Sequence, residues 1–261
     1  MLVEILSATK TGSAAGRWLR AIHVAVAERD KVVRTSTYRG TAGSLLLFGV
    51  GAPAHDAARR AHIAAGRRVV LFDLGYFGDR KHCARVSIDT DHPQQYLDAT
   101  SNDPARWEAN GIPLREDADP QGPVILVGLG RKSREYLRLP NWERDTLRQL
   151  QTEFPGRQII HRPKGRDTLE LGVPVDSETP IADLLRGASL AVMRHSNVAV
   201  DAAIAGVPFR CEDGAARWLQ DRPFTADNRL DFLRRLAHWQ YGTHEAAAAW
   251  SHIKRILNGA A

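Results

Sequence analysis

The chain is short of cysteine, of methionine and of long apolar runs. Cys83 and Cys211 are its two cysteines among 261 residues. Two thiols so far apart build neither a disulfide framework nor a cysteine zinc site, and they suit a reducing compartment. No stretch approaches the ~20 consecutive apolar residues that a membrane-spanning helix needs. The first ten residues carry Glu4 and no basic segment ahead of an apolar run, so they do not read as a secretory signal, and the expected location is cytoplasmic. Metal-binding and nucleophile motifs are missing too. There is no HExxH or multi-histidine spacing, no Gly-x-Ser-x-Gly elbow and no Walker loop, so no metal is expected.

What is present is the composition of an ordinary globular protein. The hydrophobic fraction is 43% and the charged fraction 25%, which excludes disorder as the main state. The length suits one large domain or two small ones. Lys and Arg number 36 against 30 Asp and Glu, a formal net charge of +6. That excess favours anionic partners: nucleic acid, a nucleotide or a phosphorylated substrate.

Short β-like runs alternate with amphipathic helical runs. Leu2–Leu6 reads as a strand. Residues 14 to 29 read as a helix capped by Ser13, with Trp18, Ile22 and Val26 on one face. Ser44–Val50 and Arg68–Asp73 are continuous apolar strands separated by a helix from Pro53 that stops at Gly66. They predict a parallel βαβ unit in a sheet covered on both faces. Residues 99 to 122 are dense in Pro, Gly and Asp and mark a domain boundary, giving domains 1–118 and 119–261. Beyond it, strands are expected at Val124–Val127, Arg157–His161, Ser189–Met193 and Val207–Phe209. Helices are expected from Asn141 to Phe154, Ile181 to Arg186 and Asn197 to Ala205. A helical tail runs from Arg229 to Leu257, with Trp239 and Trp250 in its core. The expected fold is α/β, two small Rossmann-like domains facing a cleft. Ligands then bind beyond the carboxyl ends of the strands.

The most informative segment is Met193–Pro208. A strand ends, His195-Ser196-Asn197 opens a helix, and Gly206 closes it before Pro208. A helix N-terminus offers unpaired N–H groups and a positive dipole end to a phosphate. Asp201, one turn in, suits a ribose hydroxyl, although a capped helix with a solvated Asp explains the pattern equally well. The segment resembles the nucleotide-sugar signature of GT-B glycosyltransferases, carried here by Asp201, Ala202, Gly206 and Pro208, with Asp in place of the commoner Glu. Gly128 and Gly130 with Arg131 and Lys132 resemble the first strand end of that family's second domain. His161, Arg162, Lys164 and Arg166 resemble its His/Arg-Pro strand end. The resemblance implies an enzyme of hexosyltransferase type using a nucleoside diphosphate sugar, with Gly128, Gly130, Arg131, Arg162, Lys164, His195, Ser196, Asn197 and Asp201 on the donor. The Asp73–Arg80 segment and the tail from Arg229 are similar to phage-encoded proteins of this type. That likeness implies a host cytoplasm during infection and an acceptor such as hydroxymethylated pyrimidine in double-stranded DNA. The N-terminal Arg17, Arg20, Lys31, Arg34 and Arg39 would then face DNA. A cell-surface glycan or small molecule is the competing acceptor.

The N-terminal half supports a rival. Gly49, Gly51 and Ala54 follow a strand and open a helix, and Asp73 ends the next strand, a loose dinucleotide fingerprint for an oxidoreductase. A binding protein without catalysis is a third class. In the transferase reading, Gly49, Gly51, Tyr76 and Arg80 lie on the acceptor side. The general base is sought among Asp73, His55, Asp56 and Asp79, with Asp73 and His55 preferred.

Overall fold

The computed structural model describes residues 1–7, 12–165 and 169–259. The chain divides into two compact units, Met1–Arg106 together with the chain from Arg234 onward, and Trp107–Leu233.

The first unit contains β1 (Leu2–Leu6), α1 (Ala14–Ala27), β2 (Lys31–Thr35), β3 (Ser44–Phe48), α2 (Pro53–Ala64), β4 (Arg68–Leu74) and β5 (Cys83–Ile88); a short helix α3 (Ala105–Glu108) lies at its end. The Ser13 hydroxyl caps α1 by accepting the Gly16 N–H at 3.0 Å, as the sequence indicates. β3 and β4 are parallel neighbours joined through α2. Leu45, Leu46, Leu47, Val70 and Phe72 are buried, which is why these strands read as unbroken apolar runs.

In the second unit, β6 (Val124–Val127), α4 (Arg131–Leu137), α5 (Trp142–Glu153), β7 (Ile159–Arg162), α6 (Ile181–Leu184), β8 (Leu190–Met193), α7 (Val198–Ala205), β9 (Phe209–Cys211) and α8 (Arg217–Gln220) follow one another. Its sheet has the order β7-β6-β8-β9 and every pairing is parallel. Its core packs Trp142, Leu147 and Leu150 of α5 on Val124, Leu126 and Val192.

The helix α9 (Ala226–Ala237) leads to β10 (Gln240–Gly242) and α10 (Ala246–Leu257). This tail departs from the 118/119 boundary. β10 pairs antiparallel with β5 and completes the order β10-β5-β4-β3-β1-β2, and α10 packs on α1. Trp239, Trp250 and Ile253 are at most 1% exposed. Each buried side chain of this size contributes about 1.5–3 kcal/mol, so the tail from Arg234 onward belongs to the first unit's core. The Pro-rich stretch also sits differently from the expected linker. Arg115 and Asp117 donate their N–H groups to Ile204 and Ala205 at the end of α7. Buried Arg229 donates to the Arg115 and Ala203 carbonyls at 3.0 and 3.1 Å and pairs with Glu116, placing a cation at the negative end of α7.

Candidate functional site

In the second unit, β6, β7, β8 and β9 end level. Val127 lies opposite Arg162 and Met193, and Met193 opposite Cys211. The loops after β6, β7 and β8 therefore emerge along one edge. From β6 the chain goes to β7 on one side and reaches β8 on the other. The β6 and β8 loops thus diverge at a switch point, the usual ligand crevice of an open α/β sheet.

The loop after β6 is shaped by contact. Gly128 donates its N–H to the Arg162 carbonyl at 2.8 Å, and a Cβ on Gly128 would come within 2.8 Å of His161 Nε2. No larger residue fits there without moving the imidazole. Beneath the loop, the fully buried Glu143 carboxylate accepts the Leu129 N–H at 2.8 Å and Arg134 Nη1 at 2.9 Å. Arg134 also donates to the Leu129 carbonyl at 2.6 Å. Burial pushes the His161 pKa down, with Arg134 adding to the fall and Glu143 opposing it, so the ring is neutral at pH 7. Glu143 and Arg134 escaped the sequence reading. Their only signal was a carboxylate next to Trp142 at the start of an amphipathic helix.

The expected donor cations differ in exposure. Arg162 donates to the Asp176 carbonyl and carboxylate at 3.1 and 3.3 Å and so holds the turn before α6. Hydrogen bonds from Thr179, then from the Glu178 N–H and the Arg162 charge, keep the Asp176 carboxyl below its ordinary range. Arg131, Lys132 and Lys164 are exposed; Arg131 lies 4.0 Å from Glu135. The Lys164 carbonyl would lie 3.6 Å from a Cβ on Gly130, so the β6 and β7 loops touch. Arg166 lies outside the described residues.

At the end of β8, Arg194 pairs with Glu212 and Asp213 at 3.1 and 2.5 Å, and His195 Nδ1 lies 3.9 Å from Asp213. The Ser196 hydroxyl accepts the Val198 N–H at 3.2 Å. Asn197 holds the cap position of α7 with helical backbone, and its side chain does not cap the helix. Asp201 is half-buried in the first turn. Gly206 ends α7 at φ +75°, where a Cβ would fall 2.4 Å from the Arg115 carbonyl oxygen.

The first unit has its own switch point. β2 and β3 flank β1, so the loops after β1 and β3 diverge. In the loop after β3, Gly49 donates to the Phe72 carbonyl at 2.8 Å and its own carbonyl meets His55 Nδ1 at 3.0 Å. His55 is 4% exposed and its Nε2 is buried without a hydrogen bond, so this ring braces the Gly49 loop from within. Gly51 is exposed, and Pro53 begins α2 without an N–H. Asp56 pairs with Arg60 at 2.8 Å along α2.

Both carboxylate oxygens of Asp73 accept hydrogen bonds, Oδ1 from Leu74 N–H at 2.8 Å and Oδ2 from Arg85 at 2.9 Å. Tyr76, expected on the acceptor side, is buried instead, its hydroxyl 3.2 Å from His92 Nδ1, and burial raises its pKa well above the usual phenol range. It packs where β10 meets the sheet, and its N–H donates to Gln240. Arg80 is half-buried in the turn that follows. Asp79 Oδ2 lies 2.7 Å from His82 Nδ1, and both side chains are about two-thirds exposed. That hydrogen bond is the main cause of a lowered Asp79 pKa. His82 borders a small hollow with Phe48 at the end of β3 and Ala14 and Arg17 at the start of α1. A carboxylate-oriented imidazole at a strand end is a base geometry, and His82 was missed in the sequence.

The N-terminal cations Arg17 and Lys31 lie at opposite ends of the sheet. Arg17 lies in the first turn of α1, beyond the carboxyl ends of the strands, whereas Lys31 opens β2 at their amino ends. Among the described residues, no group of three or more His, Cys, Asp or Glu side chains is placed to hold a metal, and no helix is long and apolar enough to cross a membrane.

No family model and no curated protein matches the sequence. Solved structures do resemble it in fold. The chain is 14% identical to the Thermosulfurimonas dismutans KpsC beta Kdo 2,4 transferase, over 93% of this chain and 92% of that one, at a TM-score of 0.54. For the KpsC beta Kdo 2,7 transferase of the same organism the identity is 13%, the coverage 97% and 99% and the TM-score 0.49. A Methanocaldococcus jannaschii UDP-GlcNAc 2-epimerase, in complex with UDP-GlcNAc and UDP, gives 12%, 98% and 99%, and 0.36. The fold is mixed α/β with two sheets and a C-terminal helix, and it resembles that of GT-B glycosyltransferases.

Proposed function

We propose that this protein is a glycosyltransferase that takes a sugar from a nucleoside diphosphate donor held by the second unit and gives it to a hydroxyl held by the first. The observation that carries this reading is the level ending of β6, β7 and β8, which brings the Gly128–Gly130 loop, Lys164 and the α7 N-terminus to one edge. The fold likeness to a Kdo transferase supports it. In the reaction the bond from the anomeric carbon to the diphosphate breaks, a bond to the acceptor oxygen forms, and the acceptor proton goes to a base. Negative charge grows on the diphosphate, where the α7 N–H groups with Arg131, Lys132 and Lys164 stabilise it. Ser196 and Asn197 add donors, and Asp201 accepts from the ribose. The His82 imidazole, oriented by Asp79, is the proposed base. Asp73 is the weaker choice, because both its carboxylate oxygens already accept hydrogen bonds, from Leu74 N–H and from Arg85.

The test is a donor panel of nucleoside mono- and diphosphate sugars, Kdo included, against glycan, small-molecule and duplex DNA acceptors, with product mass spectrometry. Hydroxymethylated DNA belongs in the panel as the narrower reading. Transfer that fails in Asp201→Ala for loss of donor affinity supports the assignment. Donor binding with neither transfer nor hydrolysis would favour a binding protein, and a thermal shift with a nicotinamide cofactor alone would favour the Gly49/Gly51/Asp73 fingerprint.

A further inference from the structure

The first unit contains a second cavity, of about 200 Å³, on the flank where β10 closes the sheet. Its wall is formed by the 96–106 segment, the end of α9, β10 and one face of α10. Ala248, His252, Arg255 and Ile256 follow i, i+4, i+7, i+8 and present a single stripe to it. The charged and titratable side chains on this wall are Arg106, Arg255, His238, His252, Tyr96 and Tyr241, with no Asp or Glu.

The two arginines differ. Arg106 is committed: it pairs with Glu245 at 3.0 Å, donates to the Ala237 and Gln240 carbonyls, and lies 4.6 Å over the Tyr241 ring. Arg255 is exposed on α10 and makes no hydrogen bond or ion pair among the described residues. The Nε2 of His238 is buried without a hydrogen-bond partner. A wall with two cations, two imidazoles and no acid is complementary to an anion. Its apolar part is aromatic: Trp239 stacks on Tyr96 at 5.3 Å, and Tyr241 bonds His252 Nδ1 at 2.6 Å. A volume of about 150 Å³ holds a benzene ring, so this cavity accommodates one ring with a substituent.

We propose that this cavity binds a small aromatic carboxylate, its ring against Trp239 and Tyr241 and its carboxylate received by Arg255 and His238. The site is separate from both switch-point edges and does not depend on the transferase reading. Binding takes up a proton. Burial, then the Arg255 charge, holds His252 down at about 4, with His238 and Arg106 adding to the fall. Burial with Arg106 and Arg255 likewise lowers His238, against the pull of Asp103. Tyr241, raised by burial, stays protonated, and Glu245 is taken up by Arg106. An anion beside these neutral rings raises their pKa, so affinity strengthens as pH falls.

The experiment is calorimetric titration of the full chain with benzoate, benzamide and inorganic phosphate. Benzoate is expected to bind, and benzamide about tenfold more weakly or worse. Arg255→Gln is expected to cost benzoate about tenfold, and Ala248→Phe, which fills the mouth, to abolish binding. Both positions are exposed, so both variants should keep the wild-type unfolding midpoint and nucleotide affinity. Benzoate affinity should rise as pH falls from about 7 to about 5. No benzoate binding, equal binding by Arg255→Gln, or phosphate binding as tightly as benzoate would each overturn the proposal.

Discussion

At the carboxyl edge of the second sheet, the polar groups that shape the loops are buried. Glu143 and His161 are at most 1% exposed beneath Gly128–Leu129, and Arg229 at 1% clamps the far end of α7. At the carboxyl edge of the first sheet, buried His55 braces the Gly49 loop, but the carboxylates and the imidazole proposed for proton transfer face water: Asp79 and His82 are about two-thirds exposed and Asp73 is 39% exposed. Buried charge is costly to leave unpaired, so it fixes a loop in one geometry. Exposed pairs contribute little to stability and leave their atoms open to a substrate. On the proposed reading, the second unit supplies a preformed anion cradle and the first a surface on which proton transfer is arranged.

The sharpest way to break this contrast is Glu143→Ala. It removes the acceptor of Leu129 N–H and strands Arg134, and should cost the second unit about 3–5 kcal/mol in denaturant unfolding. An equal loss in Asp79→Ala would erase the difference between the two edges. His82→Gln should lower transfer about a hundredfold with donor affinity and stability unchanged, measured by steady-state and binding assays. Asp73→Asn should lower transfer less than His82→Gln does, and the reverse ranking would return the base to Asp73. Gly206→Ala forces a non-glycine residue into a left-handed cap against Arg115 and should cost about 2 kcal/mol in the same unfolding assay.

The smallest effect concerns pH. In the first unit His62, His238 and His252 all have lowered pKa values, whereas in the second only His161 does among the described residues. A folded pKa below the unfolded value of ~6.5 means the unfolded chain takes its proton first. The stability from neutral burial is complete above that value and is lost as pH falls toward the folded pKa values. Between about pH 7 and about pH 5 the first unit should lose more protection than the second, as read by hydrogen exchange in each sheet.

Much of the architecture was legible because it rests on local pattern. β3, β4 and β6 were plain as continuous apolar runs, and Ser13, Gly66 and Gly206 marked helix ends. β2 and β10 were not. β2 is a charged-ended edge strand, Lys31–Thr35, and β10 is three residues whose pairing with β5 is set only by tertiary contact. The Pro-rich stretch signalled a boundary, yet composition carries no information on which unit a later helix rejoins. At the site, the glycines and strand-end cations were visible through their spacing. The buried partners Glu143 and Arg134 were not, since a helical Glu reads as surface until packing covers it. The Asp79–His82 pair sits in a turn and has no periodicity to reveal it.

The most direct measurement is backbone amide NMR of the labelled full chain titrated with a nucleoside diphosphate. A donor cradle on the second unit predicts shifts at Gly128–Gly130 and at Ser196–Val198, with Gly49–Ala52 unmoved. Shifts confined to Gly49–Ala52 would place the nucleotide on the first unit and contradict the assignment.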